Sequence, residues 1–145
     1  MRALLDVNTL IALLDVEHIH HARAAAWMER EVDNGGWASC PITQNGCIRI
    51  LSQPSYPGGP LPPAETAARL AEACADPLHA FWPDDLSLTD PGTLNWQHIL
   101  GHRQLTDAYL LALAVRHGGR FVTFDRRLTP EAVPGAGPRH LVVLD

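Results

Sequence analysis

The sequence predicts a three-layer α/β/α fold with a central parallel sheet. Short apolar runs alternate with helical stretches along most of the chain, which is the pattern of strands covered by helices on both faces. Two of these runs end directly at an aspartate, Asp6 or Asp125. The length of 145 residues, of which 46% are hydrophobic, is sufficient for one core, so we expect a single domain over residues 1–145.

The first third of the chain alternates two strands with three helices. Residues 2–5 form an apolar run that ends at Asp6, and a helix begins near Asn8 or Thr9 with leucine and isoleucine at helical spacing. The alanine-rich residues 20–32 predict a second helix. Residues 37–40 predict the second strand, which must end or become an edge at Pro41 because proline cannot donate to a sheet ladder. A third helix is predicted for residues 43–51.

The rest of the chain is predicted to contain two helices and three strands. After a Pro/Gly-rich loop at residues 52–63, Pro63 begins a helix that runs to Ala75, since proline at the first helical position loses no hydrogen bond. Thr106 is predicted to cap a helix that carries Asp107 in its first turn and ends in basic residues and glycine. Strands are predicted at residues 79–82, 120–124 and 140–144, and a short helix with a loop at residues 90–102.

Composition excludes several classes of protein. The 16 acidic and 11 basic side chains give a net charge of −5, which argues against nonspecific nucleic-acid binding through a general positive field. All basic residues are arginine, and the missing lysine counts against a P-loop and against aspartate phosphotransfer sites.

No apolar run reaches the roughly 18 residues of a membrane span, and the early Asp6 does not fit a secretory signal. We therefore expect a cytoplasmic protein with no membrane association and with reduced cysteines.

Three aspartates are predicted to meet at one edge of the sheet. Asp6 and Asp125 end strands, and Asp107 lies in the first turn of the helix that leads to the last of these strands. In a parallel sheet, the carboxyl ends of strands and the starts of crossover helices share one edge. Close carboxylates repel one another unless a cation or proton is shared. Oxygen ligands suit Mg²⁺ or Mn²⁺, and such a site supports metal-assisted phosphodiester hydrolysis.

Each aspartate also has an ordinary structural interpretation. Asp6 is suited to an Asx turn or helix cap, Asp107 is favoured in a first helical turn, and Asp125 is suited to a cap or a salt bridge with the arginines that follow it. Three unrelated caps have no reason to fall on the same edge of one sheet. The joint placement therefore favours the metal site.

Three further residues are candidates for supporting roles. Asn8 is placed to hydrogen-bond a ligating carboxylate or a phosphate oxygen. Thr123 is placed to orient Asp125 through its hydroxyl group. Arg103, four residues before Asp107, is a candidate to contact the scissile phosphate, because guanidinium binds phosphate oxygens in a bidentate way.

Several stretches of the sequence resemble the PIN-domain endoribonucleases, and specifically the VapC-type toxins. The resemblance covers nearly the whole chain, and its most specific stretches are GHRQLTDAYLLALA at residues 101–114 and FVTFDRRL at residues 121–128, together with LLDVNTLIALL at 4–14 and NGCIRIL at 45–51. It implies a PIN-like α/β/α fold, a Mg²⁺- or Mn²⁺-dependent ribonuclease that acts on RNA, a cognate VapB-like antitoxin and a homodimer. Asp6, Asp107 and Asp125 match the acidic residues of the family.

One position departs from the family pattern and leaves alternatives open. Many PIN nucleases carry a glutamate in the helix after the second strand, where this chain has Gly46. Asp84, Asp85 and Asp90 are candidates to replace that carboxylate. One alternative to the toxin is a housekeeping PIN nuclease of RNA maturation. The other is a catalytically silent PIN fold that binds RNA or protein, for which Gly46 is the best argument.

Overall fold

Five parallel strands form the centre of the structure, a computed structural model that describes residues 1–145. The strands lie in the order β3-β2-β1-β4-β5, and all four pairings are parallel. Their bounds are β1 Ala3–Leu5, β2 Trp37–Ser39, β3 His79–Phe81, β4 Arg120–Thr123 and β5 Leu141–Val143. The two strands that end at Asp6 and near Asp125, β1 and β4, are neighbours, with Leu5 opposite Val122.

Five α-helices cover the two faces of this sheet. They are α1 Val7–Leu14, α2 His21–Glu31, α3 Pro41–Leu51, α4 Pro63–Cys74 and α5 Leu105–Arg116. Because successive strand residues point to opposite faces, Leu4 and Phe121 pack with α5 in one apolar cluster. Leu5 and Val122 pack with residues of α1 to α4 in the other. The predicted three-layer α/β/α architecture is therefore confirmed.

Two predicted helix starts were wrong. The third helix begins at Pro41 and not at residue 43, because proline is tolerated at the first helical position. The fifth begins at Leu105, so Thr106 lies inside it and is not its cap; Gln104 precedes the helix and makes no side-chain capping bond. A short 3-10 helix, His102–Gln104, runs directly into α5. The segment predicted as a short helix with a loop, residues 90–102, contains another 3-10 helix at Trp96–His98 and ends where the His102–Gln104 turn begins.

The helices are short, and none has the combination of length and apolarity that crossing a membrane requires. The three cysteines are free thiols: Cys40 and Cys47 are buried and Cys74 is half-buried. Burial raises the pKa of the Cys40 thiol to about 11 and that of Cys47 to about 12. The thiols are therefore protonated and belong to the packing of the core.

Gly46 marks a close contact between α3 and the start of α1. A Cβ atom at this position would lie 2.6 Å from Cγ2 and 3.2 Å from Cγ1 of Val7. Val7 directly follows Asp6, so the space where the family pattern expects an acidic side chain is occupied by a valine methyl group. A glutamate at position 46 would require Val7 to move.

We predict that Gly46→Ala lowers the free energy of unfolding by about 1 to 2 kcal/mol because of overpacking, despite a gain of up to about 1 kcal/mol in helix propensity. Rotation of Val7 gives no relief, since both methyl groups lie close. In a Val7→Ala background the nearest remaining atom is Cβ of residue 7 at 3.5 Å, an ordinary contact, so Gly46→Ala should become neutral or stabilising there.

Urea denaturation of the four proteins of this double-mutant cycle gives the coupling energy. Gly92→Ala serves as the control, because no heavy atom lies within 4 Å of the added Cβ, and its effect should stay within about 0.5 kcal/mol. If Gly46→Ala lowers the free energy of unfolding by the same amount in the wild-type and Val7→Ala backgrounds, the contact with Val7 is not the reason that position 46 requires glycine.

Candidate active site

Asp6 is buried at the carboxyl end of β1, with only 4% of its surface exposed. It caps α1, since the amide of Thr9 donates to its Oδ1 atom at 2.7 Å. Its Oδ2 atom accepts a hydrogen bond from the Thr123 hydroxyl group at 2.5 Å. The ordinary capping role expected for an aspartate here is thus realised, and both carboxyl oxygens are fixed in place.

Thr123 connects the ends of β1 and β4. Its hydroxyl group donates to Asp6 and accepts a hydrogen bond from the backbone amide of Asp125 at 3.0 Å. The side chain is fully buried. The expected orienting role of Thr123 therefore has a geometric basis, but the contact is with the Asp125 backbone and the Asp6 carboxylate, and not with the Asp125 carboxylate.

Asp125 forms a close ion pair with Arg127. The guanidinium group donates from Nε to Oδ1 at 3.1 Å and from Nη2 to Oδ2 at 3.0 Å. The Arg127 amide also donates to Oδ1 at 2.9 Å, which is an Asx-turn contact. Arg127 holds the pKa of the Asp125 carboxyl group below its usual value. The salt bridge expected as an alternative for this aspartate is present, and its partner is Arg127, whereas Arg126 pairs with Asp145.

Asp107 lies in the first turn of α5, close enough to Asp6 and Asp125 for their charges to affect it. Burial, and then the negative charges of those two aspartates, raise the pKa of Asp107 to about 7. A hydrogen bond with the Asp125 carboxyl group also contributes to this shift, and such a bond between two carboxyl groups requires that one of them is protonated. Asp107 therefore binds a proton near neutral pH far more readily than an exposed aspartate does.

The structure brings the three aspartates to one edge of the sheet, but it does not arrange them as a set of metal ligands. Burial also raises the pKa of Asp6, although hydrogen bonds from Thr123 and Thr9 oppose this. No group of three His, Cys, Asp or Glu side chains converges closely enough to hold a metal ion. In this arrangement the Thr9 amide and the Thr123 hydroxyl group hold Asp6, while the Arg127 guanidinium group holds Asp125.

The donor chemistry of this edge fits a hard divalent cation. All three groups are carboxylates, which suit Mg²⁺ or Mn²⁺ better than softer metals. Burial, and to a smaller extent the neighbouring carboxylates, raises the pKa of Asp6 and of Asp107, and a bound cation would favour their charged forms. To bind a cation, only the Asp125 carboxylate would have to give up an ion pair, the one with Arg127.

The remaining predicted site residues divide into two groups. Asn8, in the first turn of α1, and Arg103, in the turn before α5, are exposed at the same edge, and Arg103 forms no salt bridge. Asp90, the other predicted supporting residue, lies apart from them. It lines a surface pocket with Ala112 and Arg116 in the second half of α5, because its loop runs along that helix, away from Asp107.

The other two candidates for the missing carboxylate have different partners. Asp84 accepts a hydrogen bond from the Ile42 amide and so caps α3. Asp85 pairs with Arg116 and His117 at the far end of α5. Asp85 therefore lies too far along α5 to replace the glutamate that Gly46 lacks, whereas Asp84 keeps its buried Oδ1 atom without a hydrogen-bond partner.

Sequence reasoning missed one contact beside the site. The rings of His20 and Phe124 are stacked with their centroids 4.7 Å apart, and Phe124 is the residue before Asp125. No local pattern indicated this stack, because its partners lie about a hundred positions apart in the chain.

Comparison with known proteins identifies the class. The PIN domain model matches residues 3–130. Ribonuclease VapC44 of Mycobacterium tuberculosis is 50% identical over 144 residues, which are 99% of this chain and 100% of that protein. Ribonuclease VapC39 of the same organism is 44% identical over 135 residues, covering 93% of this chain and 96% of that protein. The chain belongs to the PIN domain family.

Within that family the resemblance to VapC-type proteins is confirmed, since these relatives match almost from end to end. A solved structure agrees on the fold. The crystal structure of Mycobacterium tuberculosis VapC20, described as a Sarcin-Ricin loop cleaving toxin, aligns with a TM-score of 0.58 over 81% of this chain and 85% of that chain. At 11% sequence identity, this match supports the PIN-like architecture alone.

We predict opposite effects on stability for Asp107→Asn and Asp125→Asn in metal-free protein. A carboxyl group whose pKa is higher in the folded than in the unfolded protein lowers the free energy of unfolding once the pH exceeds the unfolded pKa of about 4. For Asp107 this reduction grows with pH until the pH passes the folded pKa of about 7. Asp107→Asn should therefore stabilise the protein at pH 8 by about 2 kcal/mol, roughly half the full linkage value because the group is partly exposed, with little effect at pH 4.

The pKa of Asp125 is lower in the folded protein than in the unfolded protein. Its charged form therefore stabilises the fold above the unfolded pKa of about 4, and this stabilisation is lost as the pH falls through the folded pKa. Asp125→Asn should therefore destabilise the protein at pH 8. Urea denaturation in EDTA at pH 4 and pH 8 measures both variants. Destabilisation by Asp107→Asn at pH 8 would contradict the charge crowding described here.

Proposed function

We propose that this protein is a divalent-metal-dependent endoribonuclease that hydrolyses RNA phosphodiester bonds and acts as the toxin of a VapBC-type toxin–antitoxin system. The observation that carries the proposal is the placement of Asp6, Asp107 and Asp125 at the carboxyl edge of the sheet, close enough for the charges of Asp6 and Asp125 to raise the pKa of Asp107. Full-length similarity to proteins named as VapC ribonucleases supports the activity and the toxin role. The proposal treats residues 1–145 as one catalytic domain.

Asp6, Asp107 and Asp125 are proposed to hold Mg²⁺ or Mn²⁺. The bound ion would supply an activated water and neutralise charge on the scissile phosphate. Thr9 and Thr123 fix the Asp6 carboxylate, so that one ligand is already oriented before any cation arrives. Thr123 also holds the Asp125 backbone, which fixes the relative positions of two of the three acids.

The exposed residues around this edge are proposed to contact RNA. Asn8 and Arg103 are exposed near Asp6 and Asp107 respectively. Arg103 has no carboxylate partner, so its guanidinium group is available to a phosphate oxygen. Because the protein as a whole has a net charge of −5, local groups of this kind must provide the attraction for a polyanion.

The proposal includes partners and a location. A VapB-like antitoxin would inhibit the enzyme by occupying the groove at the acidic edge, and the protein would act as a cytoplasmic homodimer. VapC names among the relatives support a toxin–antitoxin partnership. The homodimer follows from the family resemblance alone, and the cytoplasmic location is the expectation drawn from the sequence.

We expect Asp107→Asn to reduce divalent-dependent cleavage of RNA by at least about a hundredfold, because one of three charged ligands is lost without a change in side-chain size. The assay follows cleavage of total RNA with Mg²⁺ or Mn²⁺ and with EDTA. Asp33→Asn is the matched control, since Asp33 lies exposed in the turn between α2 and β2 at the opposite edge of the sheet.

Cleavage that persists in EDTA would contradict the metal requirement. Absence of cleavage by wild-type protein that does bind Mn²⁺ would favour a silent PIN fold.

Expression in bacteria separates a toxin from a housekeeping nuclease. Induction of the wild-type protein from a tightly controlled promoter should stop growth, whereas Asp6→Ala at the same protein level should not. Growth should return when a small gene that neighbours the chain's own gene and encodes a DNA-binding protein is co-expressed. Unchanged growth with an enzyme active in vitro would favour the housekeeping role.

A further inference from the structure

Arg127 is the cationic group in direct contact with the acidic edge. It binds both carboxyl oxygens of Asp125 through its guanidinium fork and one of them through its backbone amide. Its carbonyl oxygen accepts a hydrogen bond from Gln104, in the turn before α5, at 3.5 Å. The backbone of Arg127 is therefore connected to both elements that carry Asp107 and Asp125, while 60% of its side-chain surface remains exposed.

The Arg127–Asp125 pair occupies a carboxylate that the proposed cation needs. An ion pair in which the arginine is this exposed contributes little to stability, so a divalent ion shared by three carboxylates would displace it readily. The guanidinium fork that matches a carboxylate also matches a phosphate. A released Arg127 would remain within a few ångströms of the site, because its backbone amide stays in the same turn.

We propose that Arg127 exchanges partners during the reaction: it neutralises Asp125 in the metal-free enzyme and binds a backbone phosphate of the RNA once a divalent cation takes Asp125. The inference rests on the proposed function and assigns a positioning residue to it. It has a distinctive consequence. Removing the guanidinium group should strengthen cation binding and weaken RNA binding, whereas a merely structural arginine would weaken both.

The first test measures Mn²⁺ binding to RNA-free protein by isothermal titration calorimetry. Arg127→Gln should bind Mn²⁺ about fivefold more tightly than wild type, a factor of the size expected for loss of an exposed competing ion pair. Arg126→Gln is the matched control. It removes the same charge one residue away, and its partner Asp145 lies outside the acidic cluster with both side chains largely exposed, so the affinity should change by less than about twofold.

The second test measures RNA cleavage at saturating Mn²⁺. Arg127→Gln should raise KM for RNA about tenfold with a smaller change in kcat, since a charge-assisted contact to phosphate is lost. Arg127→Lys should give an intermediate KM, because it keeps the charge and loses the fork. Urea denaturation verifies that each variant is folded.

The outcomes separate the inference from the proposed function. Unchanged or weaker Mn²⁺ binding by Arg127→Gln, with wild-type binding intact and abolished by Asp107→Asn, would overturn the exchange and leave the nuclease proposal standing. An unchanged KM would overturn the phosphate contact. Failure of wild type to bind Mn²⁺, or equal binding by Asp107→Asn, would overturn both.

Discussion

The crowding of negative charge at the carboxyl edge of the sheet is the constraint on which the rest of the structure depends. Asp6 is buried, Asp107 is partly buried with a pKa raised to about 7, and Asp125 is compensated by one exposed arginine. Such an arrangement lowers the stability of the fold unless a proton or cation is shared. A protein selected for stability alone would have no use for Asp107 at this position, since it makes no capping bond that offsets its cost.

The fold supplies the means of holding these charges together. Parallel pairing of β1 with β4 places Asp6 beside the end of β4, and the return of the chain through α5 brings Asp107 to the same edge. The buried Thr123 hydroxyl group then links Asp6 to the Asp125 backbone. These contacts fix Asp6 and the backbone of Asp125, while the Asp125 carboxylate is paired with Arg127, whose side chain is largely exposed.

Much of this arrangement could be predicted from the sequence, because it follows from rules that apply within single elements. Apolar runs that end at Asp6 and Asp125 indicated the strands, and the helix beginning near Asp107 indicated the shared edge. What could not be predicted depends on contacts between distant residues. The packing of Val7 against Gly46 explains why no acid stands at position 46, and the path of the loop along α5 removes Asp90 from the site. Thr106 was mistaken for a helix cap because a 3-10 turn leads directly into α5, which begins one residue earlier. No local sequence pattern indicated this turn.

The central claim is that Asp6, Asp107 and Asp125 share one divalent cation, and a crystal structure of the wild-type protein grown with Mn²⁺ tests it most directly. The account predicts an anomalous difference peak at the carboxyl edge, roughly 2.1 to 2.3 Å from an oxygen of each of the three carboxylates, with the Arg127 guanidinium group displaced from Asp125. A structure at saturating Mn²⁺ with no peak there, and with the Asp125–Arg127 pair intact, would contradict it.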